Sequence, residues 1–128
     1  MKTRSFRLNK LVRDKIITST QDAGGSVQAK RLTQSDFNSV LVEKLIEEAK
    51  ELKNAEFSVE EIADIQEIID QICKNLKISP EELIKAQKAK KEKNGGFENG
   101  DYIETVTLPA DNKWAEYYAS DPERFPEV

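Results

Sequence analysis

No histidine occurs among the 128 residues, and that absence excludes more chemistry than any other feature of the composition. It removes the commonest general base, the usual serine and cysteine triads, and nearly every zinc site. The single cysteine, Cys73, allows no intramolecular disulfide; beside Ile72 and Leu76 it reads as a buried small hydrophobe. No apolar run approaches the roughly 18 residues of a membrane span. Met1-Lys2-Thr3-Arg4-Ser5-Phe6-Arg7 has no apolar signal core behind it, so no membrane partner is expected and a cytoplasmic location is the default. A basic excess is also lacking. The net charge of -4 argues against sequence-independent binding of a nucleic-acid polymer, though not against a small anionic ligand that arrives with its own metal. Internal repeats, low-complexity stretches and linkers are missing too, which leaves one domain over 1–128 as the expectation.

What is present is 38% hydrophobic and 34% charged, with the apolar residues well phased, as in a solvated globular chain. The groups left for chemistry are carboxylate, lysine and arginine. That set suits oxygen-loving Mg²⁺ or Mn²⁺ and a phosphorylated substrate.

Along the chain, Leu8, Leu11, Val12, Lys15 and Ile16 repeat at helical spacing, and Asn9 is the expected N-cap of a helix ending near Gln21 or Asp22 at Gly24-Gly25. Thr33 or Ser35 caps a long helix to about Lys53, with Asp36 in its first turn. After a break at Asn54 to Phe57, Ser58 and Glu61 form a capping box that opens a helix to about Leu76. Ser79-Pro80-Glu81-Glu82 starts a third long helix, rich in lysine and ended by Asn94-Gly95-Gly96. Asn99-Gly100 is a turn signal. The alternation from Tyr102 to Leu108 predicts a small strand or hairpin, and Trp114, Tyr117 and Tyr118 predict a short helix followed by an extended arm.

Two adjacent stretches break their own helical patterns. At about 100° per residue, Phe37, Leu41, Leu45 and Leu52 form a stripe, with Glu48 in its middle and Glu51 at its edge. In the next helix Ile62, Ile65, Ile69, Ile72 and Leu76 form a stripe; Glu61 falls within it and Asp64 on its margin. A carboxylate facing a core is costly unless something pairs with it. For Glu61 the plainer reading is the partner of the Ser58 cap, and for Glu48 a buried pairing with Lys44 or a lysine of another helix. Glu47 and Glu60 point away from the stripes, and Glu67 and Asp70 lie off them. Residues at i and i+3 share a helix face, so Glu48 with Glu51 and Glu61 with Asp64 make two two-pronged ligand sets. In antiparallel helices these four would converge on one or two Mg²⁺ ions, neutralise part of a triphosphate and lower the pKa of a bound water.

Glu47-Glu48-Ala49-Lys50-Glu51 followed by Glu61-Ile62-Ala63-Asp64 resembles the EExxE plus ExxD signature of the all-α nucleoside triphosphate pyrophosphohydrolases, the MazG and phosphoribosyl-ATP pyrophosphohydrolase superfamily. The blocks Asn9-Lys10-Leu11-Val12-Arg13-Asp14-Lys15-Ile16 and Asn94-Gly95-Gly96-Phe97 resemble a compact MazG-related branch, so that the similarity covers roughly residues 8 to 100. The resemblance implies hydrolysis of a nucleoside triphosphate between the α and β phosphates, giving a monophosphate and pyrophosphate. It also implies Mg²⁺, or Mn²⁺, on Glu48, Glu51, Glu61 and Asp64, with Glu47 as a further catalytic position that orients water. It raises Lys10, Arg13, Asp14 and Lys15 from a solvated face to substrate contacts. Lys88 and Lys91 become candidates for the β and γ phosphates, and Gly95, Gly96 and Phe97 for the border of the nucleotide. Related sequences often carry a basic residue before the glycines; Asn94 stands here instead.

Three functions follow as expectations. The leading one is a house-cleaning enzyme for non-canonical or surplus nucleotides. The second is phosphoribosyl-ATP pyrophosphohydrolase of histidine biosynthesis, and the third a non-catalytic helical interaction module. The expected fold is an all-α antiparallel helical bundle of the pyrophosphohydrolase type, with a small β element after Gly96. A homodimer is expected from the long helix pair with few partners and, above all, from the resemblance.

Overall fold

The computed structural model describes residues 2–128. Five helices and no strand occur among the described residues: α1 (Ile16–Asp22), α2 (Gln34–Asn54), α3 (Val59–Asn75), α4 (Pro80–Asn94) and α5 (Lys113–Ala119). The chain is all-α. It divides into two compact units, Met1–Ala89 and Lys90–Val128.

In the first unit, helix packing is concentrated in α2 and α3. Both open on the expected caps: Thr33 Oγ1 accepts from the Asp36 N–H at 3.2 Å, and Ser58 Oγ from the Glu61 N–H at 3.4 Å. At the close of α2, the Phe57 N–H reaches back to the Leu52 carbonyl at 3.0 Å, and Glu56 and Phe57 adopt left-handed backbone, φ 54° and 61°. This hairpin is tight enough to make the helices antiparallel. Asn75, at the end of α3, donates to Asn38, near the start of α2, at 2.9 Å; Glu48 and Glu61 meet at the other end.

Leu41 and Ile68 are the buried hydrophobic side chains, flanked by half-buried Phe37, Leu45, Leu52, Ile65, Ile69 and Ile72. Ile68 corrects the predicted stripe. The inward line of α3 runs Glu61, Ile68, Asn75, at heptad spacing, while Ile62 and Leu76 are 51% and 55% exposed. Helix α3 is apolar over a wide arc, and the wheel by itself does not choose which part of that arc faces α2. Val42 and Ile46 on α2 are likewise about half exposed. Each of these four residues stands one step past its helix's inward line, and in an antiparallel pair that step turns both helices toward the same side. The hairpin therefore carries an uncovered apolar flank. Cys73 lies toward this flank and is half-buried, not buried as predicted.

The first helix also differs from its prediction. It begins at Ile16, not at Asn9, whose φ is 47°. Helical spacing from Leu8 to Val12 yields to tertiary contact, because Lys10 and Arg13 leave the helical path to reach acidic partners. Its end is as expected: the N–H groups of Gly24 and Gly25 bond the carbonyls of Gln21 and Thr20, with Gly24 at φ 89°, a Schellman closure. Helix α4 has a full capping box, in which the Ser79 hydroxyl and N–H both meet Glu82 Oε1 while Ser79 Oγ accepts from the Glu82 N–H. All its residues are exposed, so the expected wider bundle reduces, in this unit, to the α2–α3 pair.

In the second unit, the Asn99-Gly100 turn forms, with the Gly100 N–H on the Phe97 carbonyl at 3.1 Å. The predicted β element does not. Tyr102 to Leu108 lies on one side of that turn, and the other side is Asn94-Gly95-Gly96 and the end of α4. Without a second extended segment there is no ladder to hold a strand. Asn112 caps α5 through the Trp114 N–H at 2.8 Å, and Trp114, Tyr117, Tyr118 and Phe125 pack as an aromatic cluster.

Candidate metal centre

The capped starts of α2 and α3 and the short hairpin between them bring Glu48, Glu51 and Glu61 together. One carboxylate oxygen of each lies within 4.8 Å of the others. That spacing is of the order, about 4–5 Å, that a hard divalent cation spans between opposed oxygen ligands. Glu48 is the buried member, 7% exposed; Glu61 is half-buried and Glu51 exposed.

Each acid has a different partner. Glu48 Oε2 and Glu61 Oε2 are buried with no hydrogen-bond donor. Lys44 Nζ stands 3.7 Å from Glu48 Oε1, within ion-pair range but beyond a hydrogen bond, so the lysine pairing only partly offsets the burial of Glu48. Ser58 accepts from the Glu61 backbone, but the return bond from the Glu61 carboxylate is not made. The capping reading thus accounts for the Glu61 N–H and leaves its Oε2 without a donor.

Burial pushes the Glu48 carboxyl above its ordinary value, and the nearby Glu51, Glu61 and Asp64 push it the same way. An unpartnered carboxylate among carboxylates must take up either a proton or a cation. Three hard oxygen donors with two orphaned buried oxygens fit Mg²⁺ or Mn²⁺.

Glu47 faces a different environment. Predicted to be solvated, it is half-buried and accepts from Lys10 Nζ at 3.0 Å, with Lys44 Nζ 3.8 Å from its second oxygen. The hydrogen bond from Lys10, and then the charge of Lys44, hold it below the ordinary carboxylate value; the same hydrogen bond raises Lys10. Asp64, the fourth predicted ligand, is bound by Arg13 Nη2 at 2.6 Å and is not one of the three converging acids.

Of the predicted substrate contacts, Lys10 and Arg13 are therefore brought to the acidic helices. Asp14 is exposed in a turn, and Lys15 caps α1 by its backbone; neither forms an ion pair among the described residues. Lys88 is exposed on α4. In the second unit, Lys91, Gly95, Gly96 and Phe97 line a cleft of about 390 Å³ together with Asn94 and Glu98 to Asp101. Sequence reasoning missed that Lys10 and Arg13 serve two different helices. Their i, i+3 spacing was visible, but their partners are 37 and 51 residues away. No protein-family model, curated protein or solved structure matches the chain, so the site is read from its own residues.

Proposed function

We propose that the chain is a Mg²⁺-dependent nucleoside triphosphate pyrophosphohydrolase that cleaves between the α and β phosphates and clears non-canonical or surplus nucleotides. The observation that carries the reading is Glu48, buried, with Oε2 unpartnered and with one carboxylate oxygen within 4.8 Å of those of Glu51 and Glu61. A structural glutamate at that position would have a donor on each oxygen.

In this reading Glu48, Glu51 and Glu61 hold the cation. When bound, it supplies charge neutralisation and Lewis-acid polarisation of the phosphates. Glu47, held ionised by Lys10 and Lys44, orients the attacking water, whose proton passes to solvent as the α–β anhydride bond breaks. Lys10 and Arg13 stand beside the acids as cations for phosphate oxygens. The uncovered flank of Val42, Ile46, Ile62 and Leu76 supports a homodimer, since exposed apolar faces of paired helices are covered in stable assemblies. Among the described residues no helix is long and apolar enough to cross a membrane, and the reading takes the cytoplasm as the place of action. Pyrophosphate release from a nucleotide panel with Mg²⁺ or Mn²⁺ tests the activity; silence across the panel overturns it. Turnover of phosphoribosyl-ATP alone would assign the same chemistry to histidine biosynthesis.

A further inference from the structure

Helical phase selects four carboxylates, yet only three converge. Asp64 is three residues beyond Glu61, the spacing that places two side chains on one helix face. What sets it apart is its partner. Arg13 Nη2 lies 2.6 Å from Asp64 Oδ1, while Lys10, three residues earlier, lies 3.0 Å from Glu47 Oε1 on the other helix. The segment that carries them has no regular structure up to the turn at Asp14, bends at Asn9 with φ 47°, and is anchored by half-buried Leu11. It crosses from α2 to α3 on two cations.

We propose that Arg13 is a built-in latch on Asp64, releasing it when that carboxylate joins Glu48, Glu51 and Glu61 around a divalent cation. The inference rests on reading these acids as a metal site. Both partners of the Arg13–Asp64 pair are substantially solvent-accessible, at 60% and 38% of their side-chain surface. Such pairs are weak, so the latch competes with a divalent cation without excluding it. Release also frees a planar guanidinium with two parallel donors, the group best matched to a phosphate. One exchange thus completes the ligand set and presents a phosphate contact.

Isothermal titration of MnCl₂ into the full chain tests this without any turnover. With Asp64 freed, Arg13→Gln is expected to bind Mn²⁺ about fivefold more tightly than wild type, the scale of one exposed ion pair. Arg13→Lys, which keeps the charge and loses the fork, should gain less. Arg31→Gln, which removes an equal charge at an exposed position, should leave the affinity unchanged. The gain must vanish in Arg13→Gln/Asp64→Asn. If Arg13→Gln binds no more tightly than wild type, or the gain persists without Asp64, the latch is overturned while the metal site stands. If neither wild type nor Arg13→Gln binds Mn²⁺, both fall. Binding by Arg13→Gln alone supports the latch in its strongest form.

Discussion

Lys44 Nζ is 3.7 Å from Glu48 Oε1, close enough to offset part of its charge and too far to donate a hydrogen bond. Glu48 is thus neither a satisfied structural ion pair nor a solvated surface acid. The other oxygen has no partner, and carboxylate oxygens of Glu51 and Glu61 lie within 4.8 Å of one of the two. In the proposed function, this arrangement is tolerated in exchange for a place to hold a cation.

Glu48→Gln should separate stability from binding. In EDTA the variant is expected to be more stable than wild type by about 1 kcal/mol, because a buried charge among like charges is removed. That corresponds to a rise in Tm of roughly 3–6 °C for a chain of this size. Mn²⁺ affinity should fall at least tenfold in the same protein. A thermal melt and a titration decide it; a destabilised variant would mean that the Lys44 pairing outweighs the repulsion.

The raised Glu48 carboxyl fixes the sign of a pH effect. In the folded chain it binds its proton more tightly than at the ordinary value of 4.5. Its contribution to stability is therefore fully present below 4.5 and is lost as pH rises through the folded value. Glu47, shifted the other way, contributes above its ordinary value and loses that contribution as pH falls through its folded one. Subtracting the urea-unfolding curve of Glu48→Gln from that of wild type, in EDTA, cancels Glu47. The difference should move in favour of Glu48→Gln as pH rises from 4.5 toward neutrality, and saturating Mn²⁺ should reverse it. A flat difference would show an unperturbed Glu48.

Lys77 closes α3 in the left-handed region, φ 59°, with its N–H on the Lys74 carbonyl and the Ile78 N–H on that of Cys73. Glycine adopts this conformation without the penalty that a Cβ brings. Lys77→Gly is expected to stabilise the hairpin by about 0.5–1 kcal/mol and to leave Mn²⁺ binding unchanged, since the cluster is at the opposite end of α3. A denaturant midpoint that fails to rise would show that the Lys77 side chain itself contributes there.

Local chemistry made much of this structure legible before any fold was known. Thr33, Ser58 and Ser79 act through hydrogen bonds within a few residues, so the starts of α2, α3 and α4 follow from the sequence. Gly24, Gly95 and Gly100 sit at positive φ where turns were expected. Phase selected Glu48, Glu51, Glu61 and Asp64; the structure brings the first three together and leaves Asp64 with Arg13, while Glu67 and Asp70, which phase excluded, are exposed. The failures lie where a partner was needed. Tyr102 to Leu108 had the alternation of a strand and no second strand; Leu8 to Val12 had the period of a helix and was drawn out by Glu47 and Asp64.

The sequence by itself determined the capped starts of α2, α3 and α4 and the absence of any histidine chemistry, because each depends on residue type or on spacing within a few residues. Tertiary structure alone decided which arc of α3 faces inward, and that Ile68 rather than Ile62 fills the core. It also decided that Asp64 is held by Arg13 while Glu48 is left unpartnered. Those outcomes depend on side chains tens of residues apart meeting across a hairpin, where each distance is set by packing.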